Sequence, residues 1–382
     1  MDKAFLVEPC PAAFGPRKNI LALGSDTRLR LAWSERGRVF TLCPRRDIKD
    51  IPDFYKTAGR FLRRRLRPRM IAYDPHPNFI VKDVAAEWQQ DLFPKARLAP
   101  VWHHVAHVSH RAFEEKGGDF IGVAFDGTGF GADAAVWGGE FFVYRSRERC
   151  FRRAGHFAYL PLLGGEKAVL EPWRMGLACA LDTMGPRVLD DRPLFLKDKP
   201  AAALRFLEQM MRRNAGSVMT SSAGRLFDAA SAILGLVSGP SGEAQAAIAL
   251  EKEAVKFSGE ARPYPFDIVA AGDGFEVDTK RTFRALLADV RKRRARPAAA
   301  ASFHETIAAV IAQVTGLLRK KYKIRDVYLS GGVFMNDVLC RGVGRRLAVA
   351  RMRFSFAPRP ATTDWGIAPG QIAALHLGEL CV

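Results

Sequence analysis

The sequence predicts an α/β chain of two lobes with duplicated mixed sheets flanked by helices, and three observations predict it. A chain of 382 residues with 48% hydrophobic content is longer than one minimal domain needs and suits two large lobes sharing a cleft. Strand patterns come first and alternating helix and strand patterns follow, as in a mixed sheet covered by helices. The whole layout then starts again at about residue 121.

Each element has its local reason. After a leader with proline and glycine, residues 19–23 read as a first strand, and residues 29–33 and 39–42 read as two more, joined by the charged turn Ser34-Glu35-Arg36-Gly37. A helix over about 53–65, a buried strand ending at Tyr73 and a helix around 82–88 follow. In the second half, 121–125 is a buried strand, Asp126-Gly127-Thr128-Gly129 a glycine turn, and 136–145 a strand with aromatic faces. Helices are expected at 201–213, 242–256, 283–292 and 302–322, the last approached by the alanine run 298–301. A late strand at 327–330 feeds Gly331-Gly332 and another helix, and 366–377 closes the chain helically. This duplicated layout is that of an actin/hexokinase-like two-lobed fold.

The net charge of +19 has foci at residues 60–69, 291–296 and 341–353. Such foci can neutralise nucleic-acid phosphates or an acidic partner protein. All three also sit beside apolar residues at helical spacing, as solvated helix faces do. No uninterrupted apolar stretch is long enough to cross a bilayer, and the N-terminus lacks the layout of a signal peptide. The expectation is a cytoplasmic chain with no membrane partner. The six cysteines, Cys10, Cys43, Cys150, Cys179, Cys340 and Cys381, include no C-x-x-C pair, which argues against both a zinc ribbon and a disulfide framework.

Chemistry-bearing residues fall in short motifs. In His103-His104-Val105-Ala106-His107, His103 and His107 stand one helical turn apart on one face, so their imidazoles can share a metal ion, and Asp126 can add an oxygen ligand from the end of the next strand. The same spacing also suits partly buried histidines bonded to backbone or water. Gly127, Thr128 and Gly129 let backbone amides approach phosphate oxygens without a Cβ clash, with a simple turn as the other reading. Ser330-Gly331-Gly332 is the same device between a strand and a helix, and Asn336, one turn into that helix, is in reach of a nucleotide. Gly224 and Asp228 flank Arg225-Leu226-Phe227, which either turns Asp228 toward a ribose or leaves it as a helix-start carboxylate favoured by the dipole. Glu243 is a second candidate for ribose hydroxyls. Lys167 and Arg174, in a loop bounded by glycine and proline, can act as catalytic residues holding an anionic substrate or can pair with Glu166 and Glu171. His76, between two prolines, and His104 are read as structural.

Taken in order, AYDPHPNF (72–79), HHVAH (103–107), AFDGTGFG (124–131), VWGGEFF (136–142), GGEKAVLEPWR (164–174), TSSAGRLFDA (220–229), GEAQAAIALE (242–251), FHETIA (303–308), LSGGVFMN (329–336) and TTDWGIAPGQ (362–371) carry a family likeness. From about Ile20 to its end, the chain resembles the C-terminal, carbamoyl-transferring half of the HypF-type hydrogenase maturation proteins, relatives of the tRNA threonylcarbamoyltransferases. It departs from that pattern at Thr27-Arg28-Leu29, where a lysine-asparagine pair is expected, and at Thr363-Asp364-Trp365-Gly366, where asparagine-aspartate-glycine-glycine is expected.

The resemblance implies a first lobe over 17–117, a second lobe with inserted helices over 118–382, and a metal and a nucleotide between them. It adds Asp364 to His103, His107 and Asp126, giving two nitrogens and two oxygens suited to iron, zinc or another divalent ion such as magnesium. That ion is expected to act as a Lewis acid on a nucleotide phosphate, of ATP or carbamoyl-adenylate. The implied reaction passes the carbamoyl group to the C-terminal cysteine thiol of a HypE-type partner, on the way to the cyanide ligands of a nickel-iron hydrogenase. Full-length members carry N-terminal acylphosphatase, zinc-finger-like and adenylate-forming modules that nothing here resembles, so a separate source of carbamoyl-adenylate is expected. A tRNA threonylcarbamoyltransferase, favoured by the charge, and a catalytically silent nucleotide-binding scaffold are the other two readings; nucleic acid is the less expected partner.

Overall fold

Two mixed sheets organise the chain in the computed structural model, which describes residues 5–10, 18–45, 50–115, 118–213, 217–240, 242 and 244–381. The first comprises β1 (Phe5–Cys10), β2 (Ile20–Ala22), β3 (Leu31–Glu35), β4 (Arg38–Pro44), β5 (Met70–Tyr73) and β6 (Arg97–Pro100), in the spatial order β1-β4-β3-β2-β5-β6. Strands β2, β5 and β6 run parallel, while β1, β3 and β4 pair antiparallel. Helices α1 (Ile51–Arg63) and α2 (Val81–Asp91) connect them, and α3 (His103–Glu114) leads out. Helix α1 starts where the sequence permits: Asp50 caps the amide of Asp53, Pro52 sits in the first turn, and Arg60 and Arg63 meet the negative end of the dipole.

The segment read as a leader contains β1, which pairs with β4 from Phe5↔Pro44 to Cys10↔Val39, so the first sheet begins ahead of residue 17. An edge strand that buries only Phe5 fully and contains Pro9 shows no alternation for a sequence reading to detect.

The second sheet takes β7 (Phe120–Phe130), β8 (Val136–Arg145), β9 (Cys150–Phe157), β10 (Leu160–Pro161), β11 (Met219–Thr220), β12 (Asp267–Ala271), β13 (Gly274–Asp278), β14 (Asp326–Ser330), β15 (Arg353–Phe356) and β16 (Glu379–Cys381). Its main path is β12-β13-β9-β8-β7-β14-β15. Its helices are α4 (Lys167–Leu170), α5 (Pro172–Met184), α6 (Val188–Asp191), α7 (Ala201–Arg212), α8 (Ala223–Ile233), α9 (Gln245–Val255), α10 (Lys280–Arg291), α11 (Arg296–Tyr322), α12 (Asp337–Val349) and α13 (Ile367–Leu377). Helix α5 left no helical signature in the sequence because it is buried on nearly every side, which erases the apolar-polar alternation.

Asp126-Gly127-Thr128-Gly129 is not a turn. It continues β7 through a register shift against β8 between Phe125 and Gly129. Helix α11, although interrupted by His304 and Glu305, is by length and overall composition apolar enough to cross a bilayer. Its Phe303, Ile307, Val310 and Val314 are instead buried in the main core, where α11 packs on α9 and α12.

Helices α3 and α13 lie side by side between the two sheets. Their core joins Ile20, Ala22 and Ala72 of the first sheet to Phe120, Ala124 and Phe142 of the second. They touch so closely that a Cβ on Gly370 would stand 2.2 Å from the carbonyl oxygen of Ala106. The side chain of Gln371 holds both the amide and the carbonyl of Gly24, each at 2.9 Å, tying α13 to the loop after β2. Against the expectation of unpaired cysteines, β16 runs parallel to β9 and brings Cys150 and Cys381 into a disulfide with Cα atoms 5.8 Å apart. A pairing across 231 residues is invisible in sequence.

Candidate active site

Five segments converge where the two sheets meet through α3 and α13. Asp74 follows β5, α3 begins with His103 after β6, Asp126 lies at the bulge of β7, and Gly331 follows β14. Asp364 opens the short helical turn Asp364–Gly366 that leads into α13. His103 Nε2 stands 3.5 Å from Asp126 Oδ2 and 3.5 Å from Asp364 Oδ1. His107 Nε2 is 3.2 and 3.6 Å from the same two oxygens. All four ligand atoms lie within 4.8 Å of one another, so the residues named from sequence form one group able to hold a metal ion.

Each ligand is positioned by a neighbour. His103 Nδ1 bonds to Asp74 Oδ2 at 2.8 Å, which aims Nε2 at the centre, where that atom is buried without a hydrogen-bond partner. An orphaned imidazole nitrogen facing two carboxylates is a fitting metal donor. The amide of Gly332 donates to Asp126 Oδ1 at 3.0 Å, and the Thr27 hydroxyl donates to Asp364 Oδ2. Thr27 and Asp364 belong to the two segments that depart from the family pattern, and they meet here across 337 residues.

The electrostatics of the group are set by its two buried carboxylates. Burial acts to keep His103 neutral, but the Asp364 charge, the nearby Asp126 carboxylate and the hydrogen bond to Asp74 raise its pKa well above the usual imidazole value. His107 is raised in the same way, against its burial, by Asp126 and Asp364. The carboxyl of Asp126 is held well below its ordinary range by both histidines, despite burial, and that of Asp364 is lowered likewise, chiefly by His103. Protons on the imidazoles thus balance two buried carboxylates, a task that a divalent ion takes over on binding.

Beside this group opens a cavity of about 390 Å³ lined by Asp126, Gly127, Gly224, Arg225, Asp228, Gly332, Asn336 and Asp364, among others. It therefore gathers most of the residues assigned from sequence to a nucleotide. The two small residues Gly224 and Gly127 let the start of α8 lie on β7, since a Cβ on Gly224 would stand 2.8 Å from the Cα of Gly127. Gly331, at φ +110°, turns the chain against β7 with no room for a side chain, and its amide bonds to the carbonyl of Thr362 at 2.9 Å. Asn336 is the cap of α12 rather than a residue one turn inside it: its Oδ1 accepts from the Leu339 amide at 2.9 Å. Asp228 lies in the middle of α8, not at its start, and burial pushes its pKa up to about 6 against the lowering effect of Arg225.

Other assignments separate from the cavity. Thr128 is exposed and Gly129 is buried, and neither lines it. A Cβ on Gly129 would stand 2.5 Å from His104 Cε1 and 2.9 Å from His103 Cδ2, so this glycine makes room for α3 rather than for a phosphate. Lys167 and Arg174 sit on α4 and α5 instead of a loop, and neither lines the cavity. Arg174 is ion-paired with Glu171, the second of its two sequence readings, whereas Lys167 is exposed. Glu243 lies outside the described residues. His104 is buried, with no hydrogen-bond partner on either ring nitrogen, and burial lowers its pKa to about 3. His76 stacks on Phe79 at 4.0 Å.

Three residues escaped the sequence reading. Asp74 stands inside a quoted motif but has no local spacing to the histidine it orients. Arg225 was treated only as a spacer, yet it is 6% exposed, lines the cavity and meets Asp228 at 3.1 Å, while its Nε and Nη1 are buried without partners. His304 holds Asn336 from α11, its Nε2 accepting from Nδ2 of Asn336 at 2.9 Å, while its Nδ1 donates to the Ala300 carbonyl at 2.8 Å.

Known proteins share both halves of this arrangement. Residues 15–114 match the model of the HypF Kae1-like domain, and residues 122–371 match the carbamoyltransferase, Kae1-like domain, second subdomain. The chain is 32% identical over 337 residues to carbamoyltransferase HypF2 of Cupriavidus necator, covering 80% of this chain and 40% of that protein. It is 35% identical over 309 residues to a carbamoyltransferase HypF homolog of the same organism, covering 79% of this chain and 76% of that one. A crystal structure of full-length HypF in the phosphate- and nucleotide-bound form superposes with a TM-score of 0.85 at 25% identity, over 96% of this chain and 47% of that one. The chain thus spans less than half the length of two of these three relatives. With both subdomains matched in order and the ligand group assembled between them, the chain belongs to the HypF carbamoyltransferase family, of which it contains the Kae1-like part.

Proposed function

We propose that this chain transfers a carbamoyl group from carbamoyl-adenylate to the C-terminal cysteine thiol of a HypE-type partner, in making the cyanide ligands of a nickel-iron hydrogenase. The observation that carries the reading is the group His103, His107, Asp126 and Asp364 opening onto a cavity lined by Gly127, Asp228 and Gly332, in a chain of this family. The division into lobes over 17–117, here extended back to β1, and 118–382 leaves the site between them.

A divalent ion held by the four ligands, iron or zinc before magnesium given the two imidazoles, supplies Lewis acidity toward the nucleotide phosphate. The residues of the chain do the rest. Asp228 holds the ribose hydroxyls, Arg225 offers Nε and Nη1 to the phosphate, and Asn336 closes the wall of the cavity. The partner thiolate adds to the carbamoyl carbon, the bond from that carbon to the phosphate oxygen breaks, and AMP leaves with the electron pair. Because an adenylate is already activated, positioning the thiolate and stabilising charge on the departing phosphate is most of the remaining work. The nucleophile comes from the partner: Cys10, Cys43, Cys150, Cys179, Cys340 and Cys381 all lie outside the cavity. Lys167, exposed ahead of α5, is left to meet an anionic group of the incoming substrate or partner; Arg174, tied to Glu171, has the weaker case. A reduced partner thiol suits the cytoplasm.

The test supplies carbamoyl phosphate, ATP, a separate adenylate-forming module and a HypE-type partner, and follows the label. The terminal cysteine of the partner is expected to be carbamoylated, and Asp364→Ala to abolish this. Labelling of tRNA instead replaces the reading with threonylcarbamoyl transfer. No labelling, with metal and nucleotide binding intact, replaces it with a silent scaffold.

A further inference from the structure

A one-sided concentration of charge lies at the far end of the first sheet from the candidate active site. A groove of about 950 Å³ there is lined by six cations, Lys18, Arg63, Arg67, Arg69, Lys95 and Arg97, and by no carboxylate. We propose that this groove binds the phosphodiester backbone of a nucleic acid, independently of the carbamoyl-transfer reading.

Its placement separates it from the chemistry. Lys18 precedes β2, Arg69 precedes β5 and Arg97 begins β6, so the groove gathers at the N-terminal ends of the three parallel strands. Asp74 and His103 follow the opposite ends of β5 and β6. Four-residue strands rising about 3.3 Å per residue put roughly 13 Å of sheet between the two places. Arg63 ends α1, Arg67 follows it in the loop to β5, and Lys95 comes from the turn after α2.

The excess charge of the chain leaves many cations unmatched, and what sets the groove apart is that six of them line one concavity with no carboxylate among them. Elsewhere some arginines are paired, as in Arg353 with Asp326, Arg346 with Glu305 and Arg153 with Glu140, while others, such as Arg38, Arg205 and Arg341, stand singly without an ion pair among the described residues. Among the described residues none of the six groove cations forms an ion pair, and only Arg67 makes side-chain hydrogen bonds, to the carbonyls of Arg63 and Leu66. Arg60 on α1 and Arg64 just after it, both exposed, extend the same field. Holding like charges together unpaired costs stability, so the arrangement favours a polyanionic partner that offsets it.

A nucleic acid suits it better than an acidic protein. Protein interfaces are anchored by large apolar or aromatic side chains entering pockets. Here the one aromatic residue, Phe93, and Pro68 are buried in the lobe, Met70 and Leu92 are half-buried, and Pro94 alone of the apolar lining is exposed, so charge is the main exposed chemistry. Four of the six cations are arginines, whose planar forks bind phosphate oxygens in pairs.

Fluorescence anisotropy with a labelled single-stranded RNA, titrated at several salt concentrations, tests the proposal on the whole chain. Six phosphate contacts at about −0.7 each predict a log K against log[salt] slope of about −4. The double variant Arg69→Gln with Arg97→Gln is expected to make that slope shallower by about 1.4. A charge-matched control, Arg205→Gln with Arg291→Gln on distant helices, is expected to leave it unchanged. Equal losses in the two variants, or no binding by the unaltered chain, overturn the groove as a site. Binding of polyglutamate as tight as that of RNA overturns the nucleic-acid assignment in favour of an acidic protein segment. AMP binding by the groove variant serves as the check on folding and is expected to match that of the unaltered chain.

Discussion

Asp74 Oδ2 stands 2.8 Å from Nδ1 of His103, and this one contact decides which nitrogen of the imidazole faces the centre. Carboxylates in that position raise ligand basicity and fix ring orientation, and their loss usually costs about 10- to 100-fold in metal affinity. Asp74→Ala is expected to weaken metal binding by that factor without abolishing it, whereas His103→Ala with His107→Ala abolishes it. Metal content after dialysis against graded free metal distinguishes the two. Unchanged affinity in Asp74→Ala removes the orienting role.

Metal uptake is expected to release protons. Because His103 and His107 carry raised pKa values in the metal-free state, the ion competes with protons above the ordinary histidine range as well as within it. Affinity therefore rises with pH through about 6.5 and continues to rise beyond it. Calorimetry in two buffers of different ionisation enthalpy measures the protons released. Uptake with no proton release means that the imidazoles were already neutral.

Arg225 gives the proposed nucleotide a specific handle. Arg225→Lys keeps a cation beside Asp228 but withdraws the partnerless Nε and Nη1. AMP affinity is expected to fall about tenfold while adenosine affinity stays constant, as befits a contact to phosphate. Equal weakening of both ligands assigns Arg225 to the shape of the cavity instead. Failure of the unaltered chain to bind either one refutes the nucleotide reading itself.

The paired glycines after β14 are expected to fail differently. A Cβ on Gly331 would stand 2.1 Å from the Phe125 carbonyl oxygen at a positive φ, so Gly331→Ala strains backbone against backbone and should cost more than about 3 kcal/mol of stability. A Cβ on Gly332 would stand 2.9 Å from Asp126 Oδ1, a side-chain end that can rotate away. Gly332→Ala should therefore melt within about 1 kcal/mol of the parent yet bind metal poorly. Melting curves and metal analysis on the two variants read both effects.

Acid should unfold the chain through its buried neutral histidines. Burial lowers the pKa of His304 to about 4, and those of His104 and His110 to about 3. The unfolded chain takes up these protons near pH 6.5, while the folded one resists until pH 4 or below. Their stabilising contribution is thus fully present above about pH 6.5 and is lost as pH falls through that window. His304→Gln should flatten the slope of stability between pH 6.5 and 4 by about 1.4 kcal/mol per pH unit. An unchanged slope in denaturant titrations would mean that His304 does not carry one of these protons.

Much was legible in the sequence because it is local. The 3.6-residue period marked α1 and α7, and β8 was read to the residue. The spacing of His103 and His107 places both imidazoles on one face of any helix that contains them. The order of the motifs carried the family likeness, and with it Asp364, whose distance from the histidines along the chain says nothing of their distance in space.

What escaped was decided by contacts between distant segments. The glycine-rich stretch after Phe125 looks like a turn, and became a strand with a bulge because β8 pairs with it on both sides of the shift. Edge strand β1 and the Cys150–Cys381 bond exist only because partners far along the chain arrive beside them. Asp74 and Arg225 carry no periodicity or spacing that relates them to a ligand, and the close crossing of α13 over α3 at Gly370 and Ala106, with the Thr27 hydroxyl on Asp364, fixes where Asp364 stands relative to His103. The sequence by itself determined which donors exist and on which elements, since backbone geometry sets spacing within a helix or strand. Tertiary packing decided which donors share a center, since convergence of side chains from five segments follows from how apolar faces bury one another, and no local pattern encodes that.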